Sequence, residues 1–352
     1  MVEPGAGGWR VERGASAPSF ELGEALLAPV AVVIESGEAG GDQGARSNEG
    51  PGAGGDGSAP RVPGRRFVAR LIESRPGGAM DEAVLSRLRR GDGGDGSDRD
   101  GAALATASPW TFCGACERCT RGLQAHCTKR RTIGGSDCAG ALAERMVLPI
   151  RCLSAVPAEV DVEAAAYASL LAEAIHATNQ LHLESKAYVT VLGDTPIGLL
   201  CAQLMARRNA SVRLVGADEG KLELCEKWGV KHRPVDAVGR HGDQDVVVDC
   251  TGGGGGLTTA LGLVRPLGQV VLRHPWRESS SARADLAVVA EKEVRVLGSR
   301  GGQLNDAVRM LHRDEADVVS LMTRRFTLDE AEKARRTAAE PGSISVVVRV
   351  GE

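Results

Sequence analysis

From residue 188 onward, short and almost uninterrupted apolar runs recur at regular intervals: 188–192 (YVTVL), 211–215 (SVRLV), 245–250 (DVVVDC), 269–272 (QVVL) and 294–297 (VRVL). Between the first two, residues 197–208 (IGLLCAQLMARR) carry a helical pattern. A second helix is expected over 219–228 (EGKLELCEKW), closed by Gly229 at its C-terminal cap. Continuous apolar strands separated by helices predict a parallel sheet covered on both faces, which is a doubly wound α/β domain. Beyond it come a helical pattern at 304–312, a charged segment at 328–338 and a last strand at 344–350. Before it the pattern is weaker. Residues 66–73 (RFVARLIE) and 25–34 (ALLAPVAVVI) read as strands, with Pro29 predicting an edge position or a bulge in the second. Two polar, glycine-rich runs, 36–60 and 91–101, lack the apolar side chains that offset ordering entropy and are expected to be flexible loops. No internal repeat is present.

Composition narrows the class. Of 352 residues 42% are hydrophobic but only 3% aromatic, so any core is built from aliphatic side chains, in one large or two medium domains. Forty-three basic against 46 acidic residues leave a formal charge of −3, which gives no reason to expect a nucleic-acid or membrane-surface partner. No apolar run approaches the roughly 18 to 20 residues that span a bilayer, and the N-terminus lacks the basic and apolar regions of an export signal. These features read as a soluble, cytoplasmic chain. Nine cysteines are an odd number, and four of them crowd between Cys113 and Cys127, which fits a metal site in a reducing compartment better than a disulfide framework.

Cys113, Cys116, Cys119 and Cys127 are spaced C-x2-C-x2-C-x7-C. Three thiolates two residues apart on a tight loop converge on one ion, and the longer excursion supplies a fourth corner. Four sulfurs close the coordination sphere, so one structural zinc per chain is expected. A bacterial iron–sulfur run would end C-x3-C-P, whereas here the last spacing is seven and Thr128 follows. Cys138, Cys152, Cys201, Cys225 and Cys250 stand singly and read as small buried hydrophobes.

The strand at 188–192 runs into Gly193-Asp194-Thr195-Pro196-Ile197-Gly198 and then a helix, the context a dinucleotide fingerprint requires. The first glycine permits the sharp turn, the last permits close helix–strand packing, and the helix N-terminus faces a pyrophosphate. Thr195 stands where a middle glycine is usual. At the end of the next strand, where an acid takes the ribose hydroxyls of NAD, Gly216 is found instead. Asp218 follows two residues late, and Lys221 is a further candidate contact to ribose or phosphate. NAD and NADP both remain open.

These residues together resemble the medium-chain dehydrogenase/reductase superfamily, in its zinc-containing alcohol dehydrogenase branch. The resemblance rests on the four-cysteine lobe, on GGSDCAGALAERMVLP (134–149), which is similar to the family's G-x-x-x-x-G-x-F-A-E-Y-V-x-x-P, and on VLGDTPIGLLCAQ (191–203), VVVDCTG (246–252) and LVRPLGQVVL (263–272). It covers the chain from about residue 109 onward. It implies a GroES-like, mainly-β catalytic domain at 1–168 and 302–352 carrying the zinc lobe (109–131), and a Rossmann-type domain at 169–301. It also implies an NAD(P)-dependent oxidoreductase acting on a small alcohol or carbonyl compound, commonly as a homo-oligomer. The family's catalytic zinc takes a Cys from G-I-C-x-T-D, a His from G-H-E, and a Cys or Glu from E-P-L. The segments here that resemble these are VIESGE, with Glu35 at the cysteine and Glu38 at the aspartate; Gly64-Arg65-Arg66; and Ser169-Leu170-Leu171. None of the usual ligands is kept, so the resemblance leaves Glu35, Arg65 and Ser169 as weak catalytic candidates, with Arg65 or Arg66 able to place positive charge near a developing oxyanion. Glu173 and His176, three apart on a helix, could form a metal pair but lack further ligands. The rival reading is a non-catalytic nucleotide-binding or scaffold relic.

Overall fold

In a computed structural model the chain is described over residues 1–5, 8–36, 62–90, 103–135, 137–184, 186–239, 241–273 and 285–351. The glycine-rich loops expected at 36–60 and 91–101 lie, apart from Ser36, outside the described residues. In chain order the elements are β1 (Val2–Gly5), β2 (Gly8–Val11), β3 (Glu24–Glu35), β4 (Arg66–Arg75), α1 (Ala79–Arg90), β5 (Leu104–Ala107), β6 (Trp110–Thr111), α2 (Glu117–Thr120), β7 (Arg131–Thr132), β8 (Met146–Pro149), β9 (Leu153–Val156), α3 (Val162–Ala165) and α4 (Ala168–Asn179). They continue as β10 (Tyr188–Leu192), α5 (Pro196–Arg207), β11 (Ser211–Gly216), α6 (Glu219–Lys227), β12 (Lys231–Pro234), β13 (Gln244–Asp249), α7 (Gly254–Leu263), β14 (Val264–Leu272), α8 (Ala287–Glu291) and β15 (Arg295–Gly298). The chain closes with α9 (Leu304–His312), β16 (Met322–Thr327), α10 (Ala331–Ala339) and β17 (Ser345–Arg349). Two compact units divide it: Met1–Leu170 with Leu304–Glu352, and Leu171–Gln303.

The first unit is mainly β. Its sheet runs β16-β17-β3-β4-β5-β9, with β8 also pairing β3. β3 supplies its centre because Leu27, Val32 and Ile34 are fully buried, together with Phe67 of β4. Each such side chain contributes roughly 1.5–3 kcal/mol by leaving water. Pro29 does mark a bulge, since the β3–β4 register shifts between Pro29 and Ala31. It does not mark an edge. On the other side β8 pairs residues 24–27 and β17 pairs residues 31–35, so Pro29, which has no N–H to donate, sits where one neighbour has ended and the next has not begun. Helix α1 was not apparent in the apolar pattern; it buries Asp81, Val84, Leu85 and Leu88 on one face, with acids in its first turn and arginines in its last.

The second unit is the expected doubly wound sheet, all parallel, in the order β12-β11-β10-β13-β14-β15. Strand order reverses beside β10, which makes the carboxyl end of that strand the topological switch point. Val189, Val191, Val247, Val248, Val270 and Val271 are fully buried in it. Helix α5 starts at Thr195, whose side chain accepts from the Gly198 N–H, with Pro196 in the first turn. Helix α6 is capped in the same way by Asp218, which accepts from the Lys221 N–H, and beyond its end Gly229 takes φ +67°.

Candidate functional sites

The zinc lobe hangs between β6 and β7, which pair through Trp110–Thr132 and Thr111–Arg131. It brings the four expected cysteines together: their Sγ atoms all lie within 4.8 Å of one another, with separations of 3.5 Å for Cys116–Cys119, 3.6 Å for Cys113–Cys127 and 3.9 Å for Cys113–Cys119 and Cys116–Cys127. A tetrahedron with zinc–sulfur bonds of about 2.3 Å has edges of about 3.8 Å, so the cage fits that ion. Backbone N–H groups point at the sulfurs, from Cys113 and Lys129 to Cys127 and from Cys116 to Cys113, as a thiolate requires. Donation from the Thr128 and Cys119 backbone pulls the Cys116 thiol down to about 5, while burial and the adjoining thiols push Cys119 up to about 12. Four sulfurs this close cannot all shed protons unless a cation replaces them. Among the described residues this is the one group of three or more His, Cys, Asp or Glu with metal-binding geometry. Of the remaining cysteines, Cys152, Cys201, Cys225 and Cys250 are buried and Cys138 is half-buried.

A second cluster lies in the first unit. Glu35 at the end of β3 and Arg66 at the start of β4 form an ion pair, and the Arg66 Nη1 donates to Ser169 Oγ at 3.3 Å on the first turn of α4. The side chains of Arg66 and Glu35 are 7% and 13% exposed, and Ser169 is buried. Close by in sequence, the fully buried Tyr167 shares a 2.7 Å hydrogen bond with Ser345 of β17. Burial pushes the Tyr167 hydroxyl well above its usual range, with the Ser345 hydrogen bond opposing the shift. A cleft of about 1200 Å³ in the same unit, lined by residues such as Arg70, Glu144, Asp329 and Arg349, includes none of Glu35, Arg66 and Ser169.

The third site is the turn after β10. Gly193 has φ +99°, and a Cβ there would meet the Cys250 backbone at 3.1 Å; a Cβ on Gly198 would collide with the Gly193 carbonyl. Both glycines are therefore demanded by the turn. Thr195 is accommodated because its hydroxyl points into the turn, accepting from Gly198 N and donating to the Cys250 carbonyl at 3.3 Å. The result is a cradle opening on the N-terminus of α5, and it fits a dinucleotide's pyrophosphate. Gly216 ends β11 buried, with Asp218 and Lys221 half-buried at the start of α6.

Comparison with known proteins adds the relatives. No protein-family model matches the chain. It is 26% identical over 263 residues to sorbitol dehydrogenase of Halalkalibacterium halodurans, covering 70% of this chain and 76% of that one. It is 25% identical over 264 residues to D-arabitol-phosphate dehydrogenase of Enterococcus avium, covering 70% and 74%. Among solved structures, a protein designated a zinc-binding dehydrogenase from Sinorhizobium meliloti 1021, bound to NADP, superposes with a TM-score of 0.80 at 22% identity over 99% of this chain and 98% of the other. The chain is similar in sequence to these polyol dehydrogenases and shares the fold of the zinc-binding dehydrogenase.

In this chain the three segments likened to the catalytic-metal positions do converge, but on an arginine. Of the two adjacent arginines, Arg66 is the one whose ion pair reaches Glu35 and whose Nη1 reaches Ser169; Arg65 is half-buried. Among the described residues, Glu173 and His176 belong to no group of three or more metal-binding side chains. Glu173 instead makes a buried ion pair with Arg273, just past the carboxyl end of β14. Two residues escaped the sequence reading. One is Arg273, a lone arginine ending an apolar strand. The other is Asp194, whose carboxylate accepts from the backbone N–H groups of Ala217 at 2.8 Å and Asp218 at 2.7 Å. The available signal was paired: an acid inside the glycine turn, and a glycine where the acid was due.

Proposed function

We propose that the chain is an NAD(P)-dependent oxidoreductase that transfers hydride between the nicotinamide and a small polyol or its carbonyl counterpart, without a catalytic zinc. The observation that carries this reading is the Glu35–Arg66–Ser169 cluster. A dication has no place beside a guanidinium that is already held by a carboxylate and a hydroxyl. The nicotinamide, when bound, supplies the hydride chemistry. What the chain supplies differs from the metal-dependent pattern. Arg66 offers a permanent positive charge, fixed in place by Glu35 on one side and Ser169 on the other, for the oxygen that becomes an alkoxide. Gly193, Gly198 and the α5 N-terminus hold the pyrophosphate. Cys113, Cys116, Cys119 and Cys127 hold one structural zinc.

Polyols and sugar ketones are the first substrates to test, because the two sequence relatives named above act on sorbitol and on D-arabitol phosphate by their names. The experiment is metal analysis and NADH or NADPH oxidation with a ketose panel on one preparation. One zinc per chain, and turnover that survives a chelator strong enough to strip exposed zinc but not the four-sulfur cage, is the expected result. Two zincs per chain, or turnover abolished by mild chelation, would overturn the metal-free reading. Failure to bind either dinucleotide would leave the non-catalytic relic.

A further inference from the structure

The contact between Asp194 and the end of β11 bears on which dinucleotide the cradle takes. In a doubly wound domain the ribose hydroxyls of NAD are read by an acid at the end of the second strand, and a 2′-phosphate is read at the same spot by basic side chains and by the N–H groups of the turn that starts the next helix. Here that spot is already furnished from the neighbouring turn. Asp194 Oδ2 accepts from both Ala217 N and Asp218 N. The two side-chain positions also exclude one another: a Cβ placed on Gly216 would lie 2.6 Å from Asp194 Cβ and 2.7 Å from its Oδ2. Gly216 is thus a glycine because the carboxylate expected on it arrives from Asp194.

We infer that Asp194 is the specificity-determining residue of the cofactor site, accepting the ribose diol of NAD and rejecting the 2′-phosphate of NADP. The inference rests on the dinucleotide reading proposed above and sharpens it. A 2′-phosphate approaching the β11–α6 turn meets the Asp194 carboxylate on the very N–H groups it would use. The residues that follow Gly216 are Ala217, Asp218 and Glu219, with no arginine among them. Asp218 adds a second carboxylate, committed as the cap of α6 to the Lys221 N–H at 3.1 Å. Two acids beside this turn oppose a dianion, whereas hydroxyls can donate to them. Lys221 is the nearest basic residue along the chain after β11, and it follows both acids.

Equilibrium binding of NADH and NADPH to the full chain, followed by nicotinamide fluorescence or calorimetry, tests this without recourse to turnover. The wild-type chain is expected to bind NADH tighter than NADPH by about tenfold or more. Asp194→Asn keeps an oxygen acceptor for Ala217 and Asp218 but removes the charge. It should cut that preference about tenfold, mainly by tightening NADPH. Asp194→Ser, a shorter acceptor, should act in the same direction, and a thermal melt on each variant reports that it is folded. Wild-type protein that binds NADPH as tightly as NADH, or folded Asp194 variants with an unchanged ratio, would overturn the assignment to Asp194 while leaving the oxidoreductase reading intact. Binding of neither dinucleotide would overturn both. Should neither variant fold, the wild-type ratio alone decides.

Discussion

Arg66 is buried, ion-paired with Glu35 and hydrogen-bonded to Ser169. A guanidinium in that position is tolerated because Glu35 neutralises it, and the pair is worth less to stability than its absence would cost. Replacing Arg66 with alanine strands the Glu35 carboxylate in a site where it is 13% exposed, and urea unfolding should show a loss of about 3–5 kcal/mol. The double variant Glu35→Gln with Arg66→Met should recover a large part of that loss. A single-variant cost that the double variant does not relieve would mean the two side chains are not coupled. The neighbouring Arg65 shows what one-dimensional reading misses here. Arg66, Phe67, Val68 and Ala69 are all buried, so β4 has no in–out alternation from which to choose between adjacent arginines. Only its pairing with β3 settles the matter, because Val33 of β3 lies opposite Arg66.

At the scale of elements, the zinc lobe has two short strands, one four-residue helix and few fully buried side chains of its own. Its order is expected to depend on the ion, since metal binding to such cages is worth about 10–16 kcal/mol in isolated peptides. Cys113→Ser should lose the zinc, measured as metal per chain, and lower the melting temperature. Cys152→Ser should leave the metal content unchanged, although its sulfur accepts from the nearby Phe112 N–H at 3.4 Å. That lobe was legible because spacing alone encodes it. The strands β10, β13 and β14 and the glycine that closes α6, Gly229, were legible for a similar reason: the signal lies within a few adjacent residues. The hairpin β1–β2 was not, because VEPG and GWRV carry proline and glycine and hold together by register, Val2 opposite Val11 and Pro4 opposite Trp9. Helix α1 was not apparent either, because its buried face offers only Val84, Leu85 and Leu88 as apolar residues, and the glycine-rich run after it gives no pattern to close it. Asp194 was missed because its meaning lies in a contact with the end of another strand.

Across the whole molecule, Glu332 joins parts of the chain that are far apart in sequence. Its carboxylate accepts from the Trp9 N–H at 2.7 Å in β2 and from Arg335 Nε and Nη2 and Arg336 Nε within and just after one turn of α10. The close approach also explains Gly8, where a Cβ would run into the same carboxylate. Hydrogen bonding from Arg335, with Trp9 and Arg336 adding to it, draws the Glu332 carboxyl down to about 2 from an ordinary 4.5. A folded-state value below the unfolded one stabilises the fold above about pH 4.5, and that stabilisation is lost as pH falls toward 2. With the side chain 27% exposed, solvent screening leaves a contribution on the order of 1 kcal/mol. Chemical denaturation of wild type and Glu332→Gln should therefore differ at pH 6, differ less at pH 3 and converge only as pH approaches about 2. A difference that persists unchanged at pH 3 would place the effect in packing instead of charge.

The pairing of β17 with β3 has a consequence for how the chain is made. Ser345 lies opposite Glu35 and Val347 opposite Val33, so the first unit's sheet is completed by a segment that follows the whole of the second unit in the chain. The second unit, Leu171–Gln303, is one uninterrupted stretch and has all its strands in hand while β17 is still unsynthesised. During that interval the β17-facing side of β3, from Ala31 to Glu35, waits as an unpaired and strongly aliphatic edge. It is the segment that a nascent-chain chaperone would have most reason to cover, and the one whose exposure would last longer if translation stalled before β17.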